Sequence, residues 1–321
     1  GYAESMQDLV KVFTVLGKLQ AKITTNDWPD TASDLGKSLA TDGVSARAAL
    51  LMLGLMSGVP AQSAHFDGAS GPKGPNELIF AVGVSPALAV LENGANAAAL
   101  AVLATHDLEL QTGGKVFDNT KTDYSARVAS SAVNFGNALG GETGISKLLK
   151  AIASAPRSSA DSAAVTKLNN LASTTGKVTI PTIIMTGVND PVTPAGAAKR
   201  LANIYAKQYA AEKAAAFKKV NTTGYVAPLN KQLVIWSTSP TSWTQFDANG
   251  LPITSTAAAP GTNHCNFTNK QYLTVVDTMI AANQSGQIAK NGALNTLIRK
   301  AGNLSIGEAS YVDLLKYYTD N

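Results

Sequence analysis

Cysteine is nearly absent from this chain, whose 321 residues contain only Cys265. A lone thiol cannot close an intramolecular disulfide, so cysteine usage does not report the redox compartment. Charge is scarce too. Charged residues make up 15% of the chain and hydrophobic ones 45%, a balance that argues against disorder and for a globular protein with a substantial core. The net charge of +4 is spread over scattered lysines and no five or six basic residues adjoin, so a nucleic-acid groove is not indicated. Long apolar runs are missing. Ala48 to Leu53 and Ala97 to Ala104 fall far short of the roughly 20 residues that span a bilayer, and no membrane span is expected. The first residues, G-Y-A-E-S-M-Q-D, lack a signal pattern. A cytoplasmic chain, or one whose leader has been removed, is expected. The Ser/Thr/Asn/Ala-rich, charge-poor composition leans towards an extracellular or cell-envelope protein.

Histidine is rare, with three in all and no H-x-x-x-H spacing, so neither a metal nor an organic cofactor is expected. The D-N-T-K-T-D-Y segment at 118–124, with Glu109 nearby, lacks the glycine and terminal glutamate of a calcium loop and reads as a structured turn.

The length allows about two domains of ordinary size. Leu9, Val10, Phe13, Leu16, Leu19 and Ile23 recur at helical spacing and predict a helix over 4–23. Further helical patterns run over 31–57, 77–112, 123–139 and 143–154, around a Gly/Pro loop at 58–76. No alternating strand interrupts the first 170 residues or so. Small residues along these helices predict close helix contacts. The apolar stripes at Leu50 to Met56 and Leu100 to Leu103 would line an acyl pocket if they faced a site, and are otherwise bundle core.

The pattern changes at Thr174. Val178 to Thr186 is the first strong strand signal, followed by a helix over 195–217 and a second strand, Lys231 to Ser237. A polar loop fills 238–263, a helix runs over 268–282, and a tail with a short helix at 291–301 ends in Tyr311, Tyr317 and Tyr318. Strand, helix, strand predicts a parallel βαβ unit. Three segments follow: a helical region at 1–175, an α/β segment at 176–282 and a tail at 283–321 that packs on the body.

Two loops carry the candidate chemistry. I-P-T-I-I-M-T-G-V-N-D-P-V-T-P at 180–194 sets Asp190 just past a strand, with Thr193 as a natural N-cap and Pro194 in the first helical turn. G-T-N-H-C-N-F-T at 261–268 sets His264 before a helix whose Thr268 and Gln271 form a plausible capping box, and Gly261 permits an unusual backbone. Alone, Asp190 is equally a turn residue and His264 a surface histidine. Together they have the composition of an orienting carboxylate and a general base.

These two loops resemble the acid loop and the histidine loop of the α/β-hydrolases, which occur in this order near the end of that fold. The helical region before the acid loop, G-G-K-V-F-D-N-T-K-T-D-Y at 113–124 and the H-C-N-F-T ending resemble an extracellular bacterial branch of that superfamily. The resemblance covers roughly the C-terminal two-thirds of such a protein. It implies an α/β fold with an incomplete hydrolase sheet preceded by a large helical cap at 1–175. It also implies Asp190 as triad acid, His264 as triad base and an ester or acyl substrate.

The chain departs from the family at the nucleophile. No G-x-S-x-G elbow is present. Ser5, Ser57 and Ser70 each lack either a strand before or a helix after. The expectation is therefore that the nucleophilic serine and oxyanion hole lie upstream of Gly1, on a removed segment or a separate N-terminal chain that completes the fold. Cys265 would be a nucleophile if its pKa were lowered, but neighbouring loop side chains are expected to point apart. His65 is expected near a loop, where it would face a substrate channel, and His106 on a helix; both are read as structural or exposed. Trp28, Trp236 and Trp243 are read as core or rim. The competing expectation is a non-catalytic, hydrolase-like helical binding or cell-surface protein.

Overall fold

Serine caps and apolar runs set the first helices. In the computed structural model, which describes residues 2–67, 71–72, 83–126, 128, 135–171, 175–238, 242–262, 264–289 and 292–306, the chain is mixed α/β and 54% helical. It divides into two compact units, residues 1–173 with 242–263, and residues 174–241 with 264–321.

The first unit contains α1 (Tyr2–Gln20), α2 (Asp34–Thr41), α3 (Ala46–Ser57), α4 (Val84–Thr112), α5 (Gly141–Ala153) and α6 (Ser162–Leu171). The Ser33 and Ser45 side chains accept from Gly36 N and Ala48 N, each satisfying a donor that the helix start leaves open. Leu50, Leu51, Met52 and Leu55 are fully buried, so this stripe is core, whereas Leu100 and Leu103 are exposed. A Cβ at Gly54 would collide with Val90, so the absent side chain lets α3 lie close against α4. The 29-residue α4 is long and apolar enough by length and composition alone to cross a membrane. Within the unit it packs against α1, α3 and α6, and its Glu92 and Asn93 bind loop backbone. The Gly/Pro loop contains a short antiparallel pair, β1 (Phe66–Asp67) and β2 (Gly71–Pro72), which the helical pattern of this half did not foretell.

Asn93, 1% exposed, ties this unit together. Its amide donates to Pro60 O at 3.0 Å and Gln62 O at 2.7 Å, and its oxygen accepts from Thr262 N at 2.8 Å and Thr262 Oγ1 at 3.1 Å. Gly261 beside it has φ +78°, and a Cβ there would lie 2.9 Å from Asn93 Oδ1, so glycine is required on both grounds. Asn93→Ala strands these buried partners and is expected to destabilise the unit by about 3 kcal/mol in urea unfolding. A loss below about 1 kcal/mol contradicts the assigned network.

The second unit contains β3 (Thr182–Gly187), α7 (Ala195–Phe217), β4 (Gln232–Ser237), α8 (Asn269–Ser285), α9 (Gly292–Lys300) and β5 (Leu304–Ser305). The expected parallel βαβ unit is present, with Thr182 opposite Gln232 and Gly187 opposite Ser237. A third strand, absent from the sequence reading, completes the sheet: β5 pairs antiparallel with β4, Ser305 opposite Trp236. Period-two alternation sorts β4. Leu233 and Ile235 pack with Ala282, Ile288, Leu294 and Ile298 of the α8–α9 side, while Val234 and Trp236 pack with Ala195 and Ala198 of α7.

The two units divide at 173/174, and residues 242–263 belong to the first of them. In the tail, α9 and β5 belong to the second unit. Tyr311, Tyr317 and Tyr318 lie outside the described residues, as do residues 77–82 of the expected 77–112 helix and most of 127–134 of the 123–139 helix.

Candidate active site

Asp190 leaves the end of β3 and folds back on its own turn. Its Oδ1 accepts Val192 N and Thr193 N, both at 2.8 Å, and its Oδ2 accepts Thr193 Oγ1 at 3.0 Å. The carboxylate thus closes a turn on its own backbone just ahead of the helix. This corrects the capping expectation. Thr193 is not the N-cap; Pro194 stands there, without a side-chain cap bond, and α7 begins at Ala195.

The segment after His264 is fixed from its far side. Thr268 and Gln271 form the expected capping box at the start of α8. Gln271 is 1% exposed and its amide also donates to Ser237 Oγ at 3.2 Å and Gly302 O at 3.0 Å. One side chain therefore pins the helix start to the end of β4 and to the turn before β5.

Asp190 and His264 meet. His264 Nδ1 lies 2.8 Å from Asp190 Oδ2. The carboxylate oxygen accepts, so Nδ1 is the donor and the neutral ring turns the lone pair of Nε2 outward. Exposure divides the pair by role: the Asp190 side chain is 2% exposed and that of His264 44%. The carboxylate is fixed and shielded, and the imidazole can reach a reactant.

Cys265 corrects a second expectation. Its side chain does not point away from His264. Sγ is 3.3 Å from Nε2 and 3.5 Å from Nδ1, and Cys265 N donates to Asp190 Oδ2 at 3.3 Å. The cause is a left-handed backbone at Cys265, φ +54°, unusual for a residue with a Cβ. A sulfur almost equidistant from both ring nitrogens lies over the ring and not along the Nε2 lone pair. Burial first, and the Asp190 charge second, push the Cys265 thiol up, away from the reactive thiolate.

The other histidines are engaged. His65 Nε2 lies 2.6 Å from Ala258 O and its Nδ1 2.6 Å from Glu92 Oε1, while Glu92 Oε2 accepts Gly261 N at 3.0 Å. Both ring nitrogens face acceptors, so His65 offers no open lone pair and ties α4 to the loop 258–261. It is structural and does not serve as a channel residue. His106 Nε2 lies 3.2 Å from Asp8 on α1. Ser5 is buried within α1 and Ser57 donates to Leu53 O at the end of α3, so neither stands in an elbow; Ser70 lies outside the described residues. Asp118 accepts from Thr120 and Ala160, contacts that hold its carboxyl below the usual range and make the expected structured turn. Trp236 is buried in the sheet core.

A cavity of about 730 Å³ in the second unit is lined by Lys199, Tyr205, Tyr209 and Lys213 of α7, by Lys231 and by Trp236, and none of Asp190, His264 or Cys265 reaches it. Comparison of the chain with protein-family models, curated proteins and solved structures gives no match.

Proposed function

We propose that this protein is a serine-type hydrolase of ester or related acyl bonds, of the α/β-hydrolase kind, with His264 as general base and acid and Asp190 as its orienting carboxylate. The observation that carries the reading is the 2.8 Å bond from His264 Nδ1 to a buried Asp190 at the carboxyl end of a parallel strand. In this scheme Nε2 takes the proton of the attacking serine hydroxyl, Asp190 stabilises the imidazolium that forms, and Nε2–H returns the proton to the leaving alcohol or amine. Among the described residues no serine hydroxyl bonds His264. In this reading the nucleophilic serine belongs to polypeptide outside these 321 residues, a partner segment that also completes the sheet, because the chain has no G-x-S-x-G elbow. Residues 1–173 serve as the helical cap. An extracellular or cell-envelope location belongs to the same reading.

The Sγ–Nε2 distance of 3.3 Å favours a second reading, with Cys265 itself as nucleophile. The position of the sulfur over the ring and the raised thiol pKa weigh against it.

One experiment separates them. The natively purified protein is assayed on short-chain p-nitrophenyl esters, treated with a fluorophosphonate, and the adduct is located by mass spectrometry. The expected result is an adduct on a serine outside residues 1–321, and hydrolysis lowered at least about 10⁴-fold by His264→Gln. An adduct on Cys265, loss of activity in Cys265→Ala, or full activity in His264→Gln overturns the serine reading. So does a protein that neither hydrolyses esters nor takes the label, the behaviour of a non-catalytic binding protein.

A further inference from the structure

We propose that Asp190, His264 and Cys265 together bind a thiophilic divalent cation of the Zn²⁺ class. Their donor atoms, a carboxylate oxygen, an imidazole nitrogen and a sulfur, all lie within 4.8 Å of one another. A tetrahedral zinc site with bonds of about 2.0–2.3 Å sets its ligand atoms about 3.3–3.6 Å apart. The Sγ–Nδ1 separation of 3.5 Å is in that range, but the sulfur lies over the ring and has to swing off that face, away from Nε2, to share an in-plane ion with Nδ1, while the Nδ1–Oδ2 separation of 2.8 Å has to open by about half an ångström. The imidazole is the part free to move, since His264 and Cys265 are exposed while Asp190 is buried.

The carboxylate is prepared for such a role. Val192 N and Thr193 N hold Oδ1, so Oδ2 is presented at a fixed angle, the arrangement that orients a ligand from behind. A thiolate and an imidazole select a borderline or soft ion over magnesium or calcium. Two of the three protein ligands, His264 and Cys265, face solvent, which leaves the fourth position to water. No zinc spacing is legible in the chain because the ligands come from two loops 74 residues apart, two of them adjacent.

Binding is balanced as follows. The cation takes the place of the proton between Nδ1 and Oδ2. That ring proton moves to Nε2, the Cys265 thiol gives its proton to solvent, and one proton is released per ion. A ring protonated at Nε2 cannot accept a proton from a nucleophile. Metal binding and the proposed hydrolysis are therefore mutually exclusive, and this last consequence alone rests on the functional reading above.

Co²⁺ titration of the intact protein tests the site without any activity. Within these 321 residues the one cysteine is Cys265, so a thiolate-to-cobalt charge-transfer band that Cys265→Ala removes is assigned to it. Such a band at one ion per chain is expected, abolished by added Zn²⁺ and by Cys265→Ala. Asp190→Asn is expected to weaken it at least about tenfold. Absence of the band, or Zn²⁺ binding of equal strength in Cys265→Ala with unchanged circular dichroism, overturns the proposal. If the band appears but Zn²⁺ leaves ester hydrolysis untouched, the metal site stands and the assignment of His264 as base falls.

Discussion

Replacing Asp190 by asparagine is expected to lower the proposed ester hydrolysis about 10⁴-fold with little change in KM. The reason lies in which atom can donate. Asp190 Oδ1 accepts two backbone N–H groups, Val192 and Thr193. The amide oxygen keeps that position in the variant, because an amide nitrogen would confront two donors. The amide N–H₂ must then face His264 Nδ1, which becomes the acceptor, and the neutral ring carries its proton on Nε2. The imidazole stays in place and loses its outward lone pair. The same change sets the amide against Cys265 N–H, so a stability loss of about 1–2 kcal/mol accompanies the kinetic one. The tautomer can be read directly from the imidazole ¹⁵N shifts of His264: Nδ1 protonated in the parent, Nε2 protonated in the variant. A variant ring still protonated on Nδ1 refutes the orienting role of Asp190, whatever the kinetics show.

The elements that place this pair were written in local patterns. A β-branched run, an Ala-rich stretch and a second apolar run gave β3, α7 and β4 within a few residues, because each signal is complete within one segment. The largest departure, at the start of β3, has a local cause. The strand-like run starts at Val178, but Pro181 has no N–H for the ladder, and β3 begins after it at Thr182, leaving Ile180 69% exposed. The capping box of α8 was legible for the same reason: Thr268 and Gln271 are three residues apart.

What escaped the sequence depends on partners that no local window contains. β5 is a pair of residues, too short to show alternation, and exists because β4 offers it an edge. Residues 242–263 read only as a polar loop. Their membership of the first unit rests on Thr244 N to Ala64 O and on Thr262 to Asn93, the latter contact spanning 169 residues of sequence. Asp190 was legible as a partner for His264 but not as the acceptor that engages the Thr193 hydroxyl. At Cys265 the rule that adjacent loop side chains diverge failed through a left-handed φ at a non-glycine residue, held where its N–H and the His264 ring both address one carboxylate oxygen.

That carboxylate is only as well placed as the strand pair beneath it, and Ile235 is the residue on which the pair most depends. Ile235 is 0% exposed at the centre of β4, opposite Met185 of β3, with its side chain among Ala282, Ile288, Leu294 and Ile298. α8 and α9 close over it, so truncation leaves a cavity that the flanking helices cannot fill without breaking their own contacts. Ile235→Ala is expected to cost about 4 kcal/mol, the sum of the lost transfer energy and the cavity. The loss is measured by urea unfolding followed through Trp236, which neighbours it in the chain, is buried in the same sheet and packs on the opposite, α7 side. Ile180→Ala, at 69% exposure, provides the internal comparison and is expected to change stability by no more than about 0.5 kcal/mol. Equal effects at the two positions mean that the α8–α9 layer is not packed on β4 as described. A large loss at Ile235 alone, accompanied by loss of the His264 Nδ1–H signal at temperatures where Trp236 is still buried, shows that the acid–base pair depends on the packing of this sheet.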